Sequence, residues 1–125
     1  MAGGSKKQLK WHDEVEADHF EAAESYLQLI HSIKQSARLV AALRKAKPTR
    51  FRAKDIFRAS QLSSLGVSNL RVAKDRKKIK DGIPLSPILL VRDEGHGKVV
   101  VADGYHRLCA VYEINEDAWI PCRIV

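Results

Sequence analysis

Apolar positions recur at helical spacing along the first third of the chain. Between Asp13 and Ala46 they run through Phe20, Ala23, Leu27 and Ile30, with Tyr26 and Ile33 alongside, and continue at Ala37, Val40, Ala41 and Leu43. The stretch holds no Gly or Pro and is rich in Ala, Glu, Leu, Gln and Lys, which predicts helix. Asp13, Glu14 and Glu16 at its start and Arg44, Lys45 and Lys47 at its end suit the helix dipole, and Pro48 supplies a stop. One helix of this length is long for a globular protein, and a break near Gln35-Ser36 is the alternative. Its apolar stripe needs a surface, offered either by its own domain or by a second copy in a homodimer.

Beyond Pro48 the pattern shortens. Phe51 to Phe57 reads as a strand or extended segment leading into a loop, and Leu62 to Asn69 has the Ser, Gly and Asn of a loop. Leu70 to Lys80 predicts a short basic helix ended by Gly82, with Arg71, Lys74 and Lys78 on one face. Ile88 to Val91 is a continuous apolar run of the buried-strand kind, introduced by Pro84 and Pro87. Lys98 to Ala102 is a second strand across the Gly95-His96-Gly97 turn, so the two predict a hairpin. Asp103-Gly104 ends it, His106 to Asn115 reads as helix, and Trp119 to Val125 as a closing strand with Trp119 in the core. The expected class is α+β. Residues 1–12 are read as a flexible N-terminus, 13–50 as a helical extension and 51–125 as the α/β unit.

Composition adds three constraints. No apolar run approaches the 18 or so residues that span a membrane, and Met1 to Lys10 lacks the apolar core of a secretory signal, so a cytoplasmic protein is expected. Cys109 and Cys122 are not a C-x-x-C pair and sit among apolar neighbours, which predicts buried reduced thiols. The five histidines show no zinc-ligand spacing. The net charge of +7 is unevenly spread: six acids and no Lys or Arg lie between Trp11 and Ile33, and fifteen Lys or Arg against two acids between Lys34 and Lys80. Such a block suits an anionic partner, nucleotide or nucleic acid, or is a solvated surface.

The candidate chemistry lies where the second strand meets the next helix, at Asp103-Gly104-Tyr105-His106-Arg107. Gly104 permits a tight turn, and the helix then opens with unpaired N–H groups and the positive end of its dipole, a site for an anion. Arg107 offers a planar fork for phosphate oxygens, and His106 a donor whose charge responds near neutral pH. Asp103 can orient either of them or hold a magnesium ion that accompanies phosphates. Arg71, Lys74 and Lys78 would close a phosphate clamp from the basic helix. Asp-Gly is also a common turn, with Arg and His exposed on many first helical turns.

Pro87-Ile88-Leu89-Leu90-Val91, then Val99 to Ala110 around Asp103-Gly104-Tyr105-His106-Arg107, then Ile120-Pro121-Cys122-Arg123-Ile124, resemble the ParB/sulfiredoxin superfamily. The resemblance covers roughly Phe51 to Val125 and takes in the basic helix before the prolines. It implies a small mixed sheet with packed helices and a nucleoside triphosphate, ATP or CTP with magnesium, at the Gly104–Arg107 turn. ParB proteins carry G-E-R-R at this turn and bind CTP, sulfiredoxins carry G-C-H-R and bind ATP, and ParB-like free serine kinases carry D-G-H-H-R, the pattern nearest to this one. Departures narrow the expectation. Tyr105 stands where sulfiredoxins place their nucleophilic cysteine, and a phenol provides no thiolate, so sulfiredoxin chemistry is excluded. The kinase-like members place a glutamate base before the basic helix, whereas Ser63 to Asn69 holds no acid, leaving Asp55 or Asp103 as stand-ins. No helix-turn-helix segment follows Val125, so reading of a centromere in the ParB manner is not expected. The resulting expectation is a nucleotide-binding domain; whether it is an enzyme stays open, and if it is one, its chemistry is hydrolysis or phosphoryl transfer. The alternatives are a nucleic-acid-binding, nuclease-like module using residues 34–80 and a dimeric interaction protein.

Overall fold

A computed structural model describes residues 9–63 and 69–125. Helices α1 (Ala17–Leu27) and α2 (Ile33–Lys45) lead to strand β1 (Thr49–Arg52), which runs directly into α3 (Ala53–Ser60). Then come α4 (Leu70–Lys80), β2 (Ile88–Asp93), β3 (Lys98–Asp103), α5 (Tyr105–Ile114) and β4 (Trp119–Ile124). The four strands form one mixed sheet in the order β1-β4-β2-β3, with β2 and β4 parallel and the other pairs antiparallel. The fold is α+β, as the pattern predicts.

The basic helix and the β2–β3 hairpin lie where the sequence places them, and two predicted elements need correction. The Asp13–Ala46 stretch is two helices: the chain leaves helix after Leu27, and Ser32 restarts it by accepting a hydrogen bond from the Gln35 N–H at 3.1 Å. A serine hydroxyl near a free helix start competes well as a cap, so the break falls before Gln35-Ser36. The Phe51–Phe57 strand ends at Arg52. Ala53, Ile56, Phe57 and Ser60 are its buried successors, and their spacing of three and four residues is that of helix α3. Of the expected loop at Leu62 to Asn69, residues 64–68 lie outside the described residues. Asn69 is the N-cap of α4, its Oδ1 accepting from Arg71 and Val72.

Each face of the sheet has its own core. Ile88, Leu90, Val99, Val101, Ile120 and Cys122 pack under α3, α4 and α5 with Ile56, Phe57, Val72, Leu108 and Val111. On the other face Leu89, Val91, Val100 and Ala102 pack against Val15, Phe20, Ala23, Leu27, Val40 and Leu43 from the first two helices and the segment leading into them. The apolar stripe of α1 and α2 is therefore spent on its own sheet. Nor are all of residues 1–12 a loose end: the His12 N–H donates to Leu85 O and the Leu85 N–H to Lys10 O, docking this strip beside the chain that enters β2. Buried Arg123 ties α2 down from β4 by donating to the carbonyls of Arg44 and Ala46 at the helix's C-terminal end, where a cation is favoured. Both cysteines are buried, and burial pushes the Cys122 thiol up to about 12, which keeps it protonated and inert. Among the described residues no helix is long and apolar enough to cross a membrane.

Candidate anion-binding site

The site begins with a backbone constraint. Gly104 turns the chain from β3 into α5 at a φ of +107°, and a Cβ there would stand 2.8 Å from both Arg107 Nη2 and Ile88 Cγ1. Only glycine allows that conformation and that approach together. Behind the turn, Arg107 is folded inward and only 12% exposed. Its Nε donates to Ser86 O (3.0 Å), and its Nη2 to Pro87 O (3.2 Å) and Asp103 Oδ2 (2.8 Å). This corrects the reading of Arg107 as an open phosphate fork: Nε and Nη2 clamp the Ser86–Pro87 segment and the Asp103 carboxylate to the turn. Arg107 still lines the cleft above, where its fixed positive charge is felt.

Asp103 is likewise committed. Besides Arg107, it faces His19 of α1, whose Nδ1 lies 3.6 Å from the same Oδ2. Magnesium demands near-octahedral oxygen ligation and keeps several waters, and a carboxylate already paired with a guanidinium does not fit that role. Among the described residues the one close cluster of ligand-type side chains is Glu16, Asp18 and His19 at the start of α1, and it does not include Asp103. Asp103 therefore offers a magnesium ion no dedicated seat.

The cleft itself, about 400 Å³, is walled by this turn on one side and by α4 on the other. That volume is within the usual range for small-molecule sites, about 300–1,000 Å³. Arg71, Lys74 and Lys78 all line it, so the face assigned to them from helical spacing is the one α4 presents to Gly104, Tyr105, His106 and Arg107. The first N–H groups of α5 lack intrahelical acceptors, as at any helix start, and belong to residues of this wall. The Tyr105 hydroxyl donates to Ser63 O, so its phenol pins the chain that leaves α3. A larger groove of about 610 Å³ runs along another face of α4 and is lined by Arg76, Lys77 and Lys80, but there Arg76 is paired with Glu113 at 3.5 Å and Lys77 with Asp81 at 3.0 Å.

Among the groups lining the cleft, His106 and Asp75 have their proton affinities shifted in opposite directions. Removal from water, with the Arg71 charge adding to it, holds His106 below its ordinary value near 6.5, so the ring is neutral at physiological pH. Asp75, half-buried on α4, is pushed up by the same loss of water, and Arg107, Lys78, His106 and Lys74 only partly offset the shift. Sequence reading passed over Asp75 as one of two acids in a basic block. The signal was its spacing, four residues after Arg71 and three before Lys78, which puts it on the same helical face.

His19 was missed for another reason. It lies in the N-terminal region, 84 positions before Asp103, and only the fold brings the two together. Ser86 was missed too. Its hydroxyl accepts from the Glu16 N–H at 3.1 Å while its carbonyl accepts from Arg107, linking the start of α1 to the turn. Of the residues predicted for the site, Asp103, Gly104, Tyr105, His106, Arg107, Arg71, Lys74 and Lys78 all line this one cleft, while Asp55 lies elsewhere, beside Phe51 and Ala59. No family model, curated protein or solved structure matches the chain, and the reading of this cleft rests on its own geometry.

Proposed function

We propose that this protein binds a nucleoside triphosphate, ATP or CTP with its magnesium, in the cleft between α4 and the Gly104 turn. The observation that carries the reading is a pair of adjoining cavities with opposite chemistry. The polar one gathers Arg71, Lys74, Lys78 and the start of α5. The other, about 430 Å³, shares Asp103 to His106 with it and continues over Ala22, Tyr26, Leu62, Val101 and Ala102. Cations and helix N–H groups match a polyphosphate, and an aromatic and aliphatic wall beside them matches a planar base. The resemblance of the Asp103–Arg107 turn to ParB-like nucleotide sites supports the same reading. In this arrangement His106 and Asp75 are the groups able to accept or hold a proton beside the phosphates, which makes hydrolysis or phosphoryl transfer the chemistry to look for.

The test is thermal stability against ATP, CTP, GTP and pyrophosphate with magnesium, on the wild type, a Lys74→Ala/Lys78→Ala variant and Tyr26→Ala. Arg107 is a poor probe because its loss also breaks the clamp on Ser86 and Pro87. A ligand at 100 times its dissociation constant stabilises by about 2.7 kcal/mol, several degrees for a chain of this size. The expected result is a shift with a nucleotide and with pyrophosphate that the double variant abolishes. Tyr26→Ala is expected to lose base preference while keeping the pyrophosphate shift. Absence of stabilisation by every nucleotide would refute the reading.

A further inference from the structure

The first two helices cover only half of their face of the sheet. They lie over β2 and β3, whose Leu89, Val91, Val100 and Ala102 they bury. On the β1–β4 half of the sheet, Arg52 is the cross-strand partner of Trp119 and Arg50 that of Pro121. Alternation places Arg50, Arg52, Trp119 and Pro121 on one side of the sheet, with Arg123 further along β4. The other side takes Phe51, Ile120 and Cys122 into the α3–α5 core.

Trp119, expected in the core, is instead 44% exposed. Two guanidinium groups lie against its ring, Arg52 at 4.2 Å and Arg50 at 4.8 Å from the centroid. Arg52 is held there by donating to Asp117 O at 2.8 Å. Exposed Lys45 and Lys47, around the end of α2, line a groove that runs past Thr49 and Phe51, which alternate to the other side of β1 from Arg50 and Arg52. Two acids near this patch are paired, Asp117 with Lys54 at 2.6 Å and Glu14 with Arg123 at 3.2 Å, and Glu116 stands beside Lys54, its carbonyl accepting from the Lys54 N–H. The patch joins stacked flat groups to the two guanidinium charges of Arg50 and Arg52.

We propose that this Arg50–Trp119–Arg52 platform binds single-stranded nucleic acid, with a base stacking on the indole–guanidinium array and phosphates on the two arginines. A base offers a planar π-face whatever its identity and the backbone offers regularly spaced anions, and together these are the two chemistries the patch displays. A basic edge strand also blunts pairing with another sheet, but that role needs charge alone and gains nothing from an exposed indole. The platform is separate from the nucleotide cleft, with which it shares no residue, and it stands or falls independently of that reading.

The experiment is fluorescence polarisation with labelled 15-nucleotide oligothymidylate and oligouridylate across a salt series. The proteins are the wild type, Trp119→Ala, Trp119→Phe, Arg50→Ala/Arg52→Ala and Lys74→Ala. The expected result is binding by the wild type that weakens about tenfold or more in Trp119→Ala, as loss of one stacked base requires, and persists in Trp119→Phe. The double arginine variant should flatten the dependence of log affinity on log salt by about 1.4, at about 0.7 per lost phosphate contact. Lys74→Ala should bind like the wild type. The proposal is overturned by any of three results: no oligonucleotide bound by the wild type, equal binding by a folded Trp119→Ala, or a loss in Lys74→Ala as large as that in Trp119→Ala.

Discussion

Asp75 and Gly104 show how single residues set the properties of the cleft. Asp75 is an acid placed among cations that would hold an anion, so it competes with the ligand. Asp75→Asn should tighten binding of inorganic tripolyphosphate several-fold, on the order of the ~1 kcal/mol that a unit charge costs at ~4 Å in water. Titration calorimetry at fixed salt would show it, and unchanged or weaker affinity would place the ligand elsewhere. The same variant should alter stability against pH. Because the folded state holds the Asp75 proton above the ordinary carboxylate value, its contribution is present below about 3.8 and is lost as pH rises through the raised value. His106 works in the opposite direction. Its folded value is lowered, so its contribution is present above about 6.5 and lost as pH falls through that window. Urea melts from pH 3 to 8 should therefore show a fall on the acid side of neutrality that His106→Asn removes, and a carboxylate-range fall with rising pH that Asp75→Asn removes. At Gly104 the issue is space. Gly104→Ala pays about 1–2 kcal/mol for left-handed backbone and also drives Arg107 off Asp103, so its melting temperature should fall by several degrees and the pyrophosphate shift should shrink with it. An alanine variant of wild-type stability would contradict the clamp.

Among the secondary elements, what could be read locally was right and what depended on partners was not. Helix α4 has a capping asparagine, a basic C-terminal half and a glycine after it, all signals within a dozen residues, and its bounds match the prediction. The hairpin strands are continuous apolar runs with a glycine turn between them, again local. Helix α3 failed because Phe51 to Phe57 is too short to separate period two from period 3.6. The buried set Ala53, Ile56, Phe57 and Ser60 resolves only once α3 is seen to pack beside β3 and α5. Trp119 failed because a large aromatic at a strand start is usually buried, whereas here α2 meets β4 at Arg123, further along the strand, and two arginines lie against the indole instead. The candidate cleft was legible where one helical face and one turn supply it. Its third wall was not, because no pattern in the sequence links His19 to Asp103 across 84 positions.

The whole molecule depends on that hidden link. Read by pattern, residues 13–50 are an extension to a unit spanning 51–125. In the fold, however, β2 and β3 carry a core on each face, and removing one exposes the other side of the same strands. Phe20, Leu27, Val40 and Leu43 are nearly or fully buried. At about 1.5–3 kcal/mol each they account for roughly 6–12 kcal/mol of apolar burial, comparable to the entire stability of a domain, about 5–15 kcal/mol. Deleting residues 1–46 would bare Leu89, Val91, Val100 and Ala102. It would also take away His19, the Glu16 N–H bound to Ser86, and the α2 carbonyls that hold Arg123. The shortened chain should be insoluble or lack a cooperative melt, and should bind no nucleotide. Leu43→Ala in the full chain should cost about 2–5 kcal/mol and lower both cores in one transition, since they share two strands. Near-ultraviolet circular dichroism, followed through heating, distinguishes the outcomes. A truncated chain that melts cooperatively near the full-length temperature would make the helices an accessory. Loss of that transition would make them the second half of a single fold whose cleft cannot assemble without them.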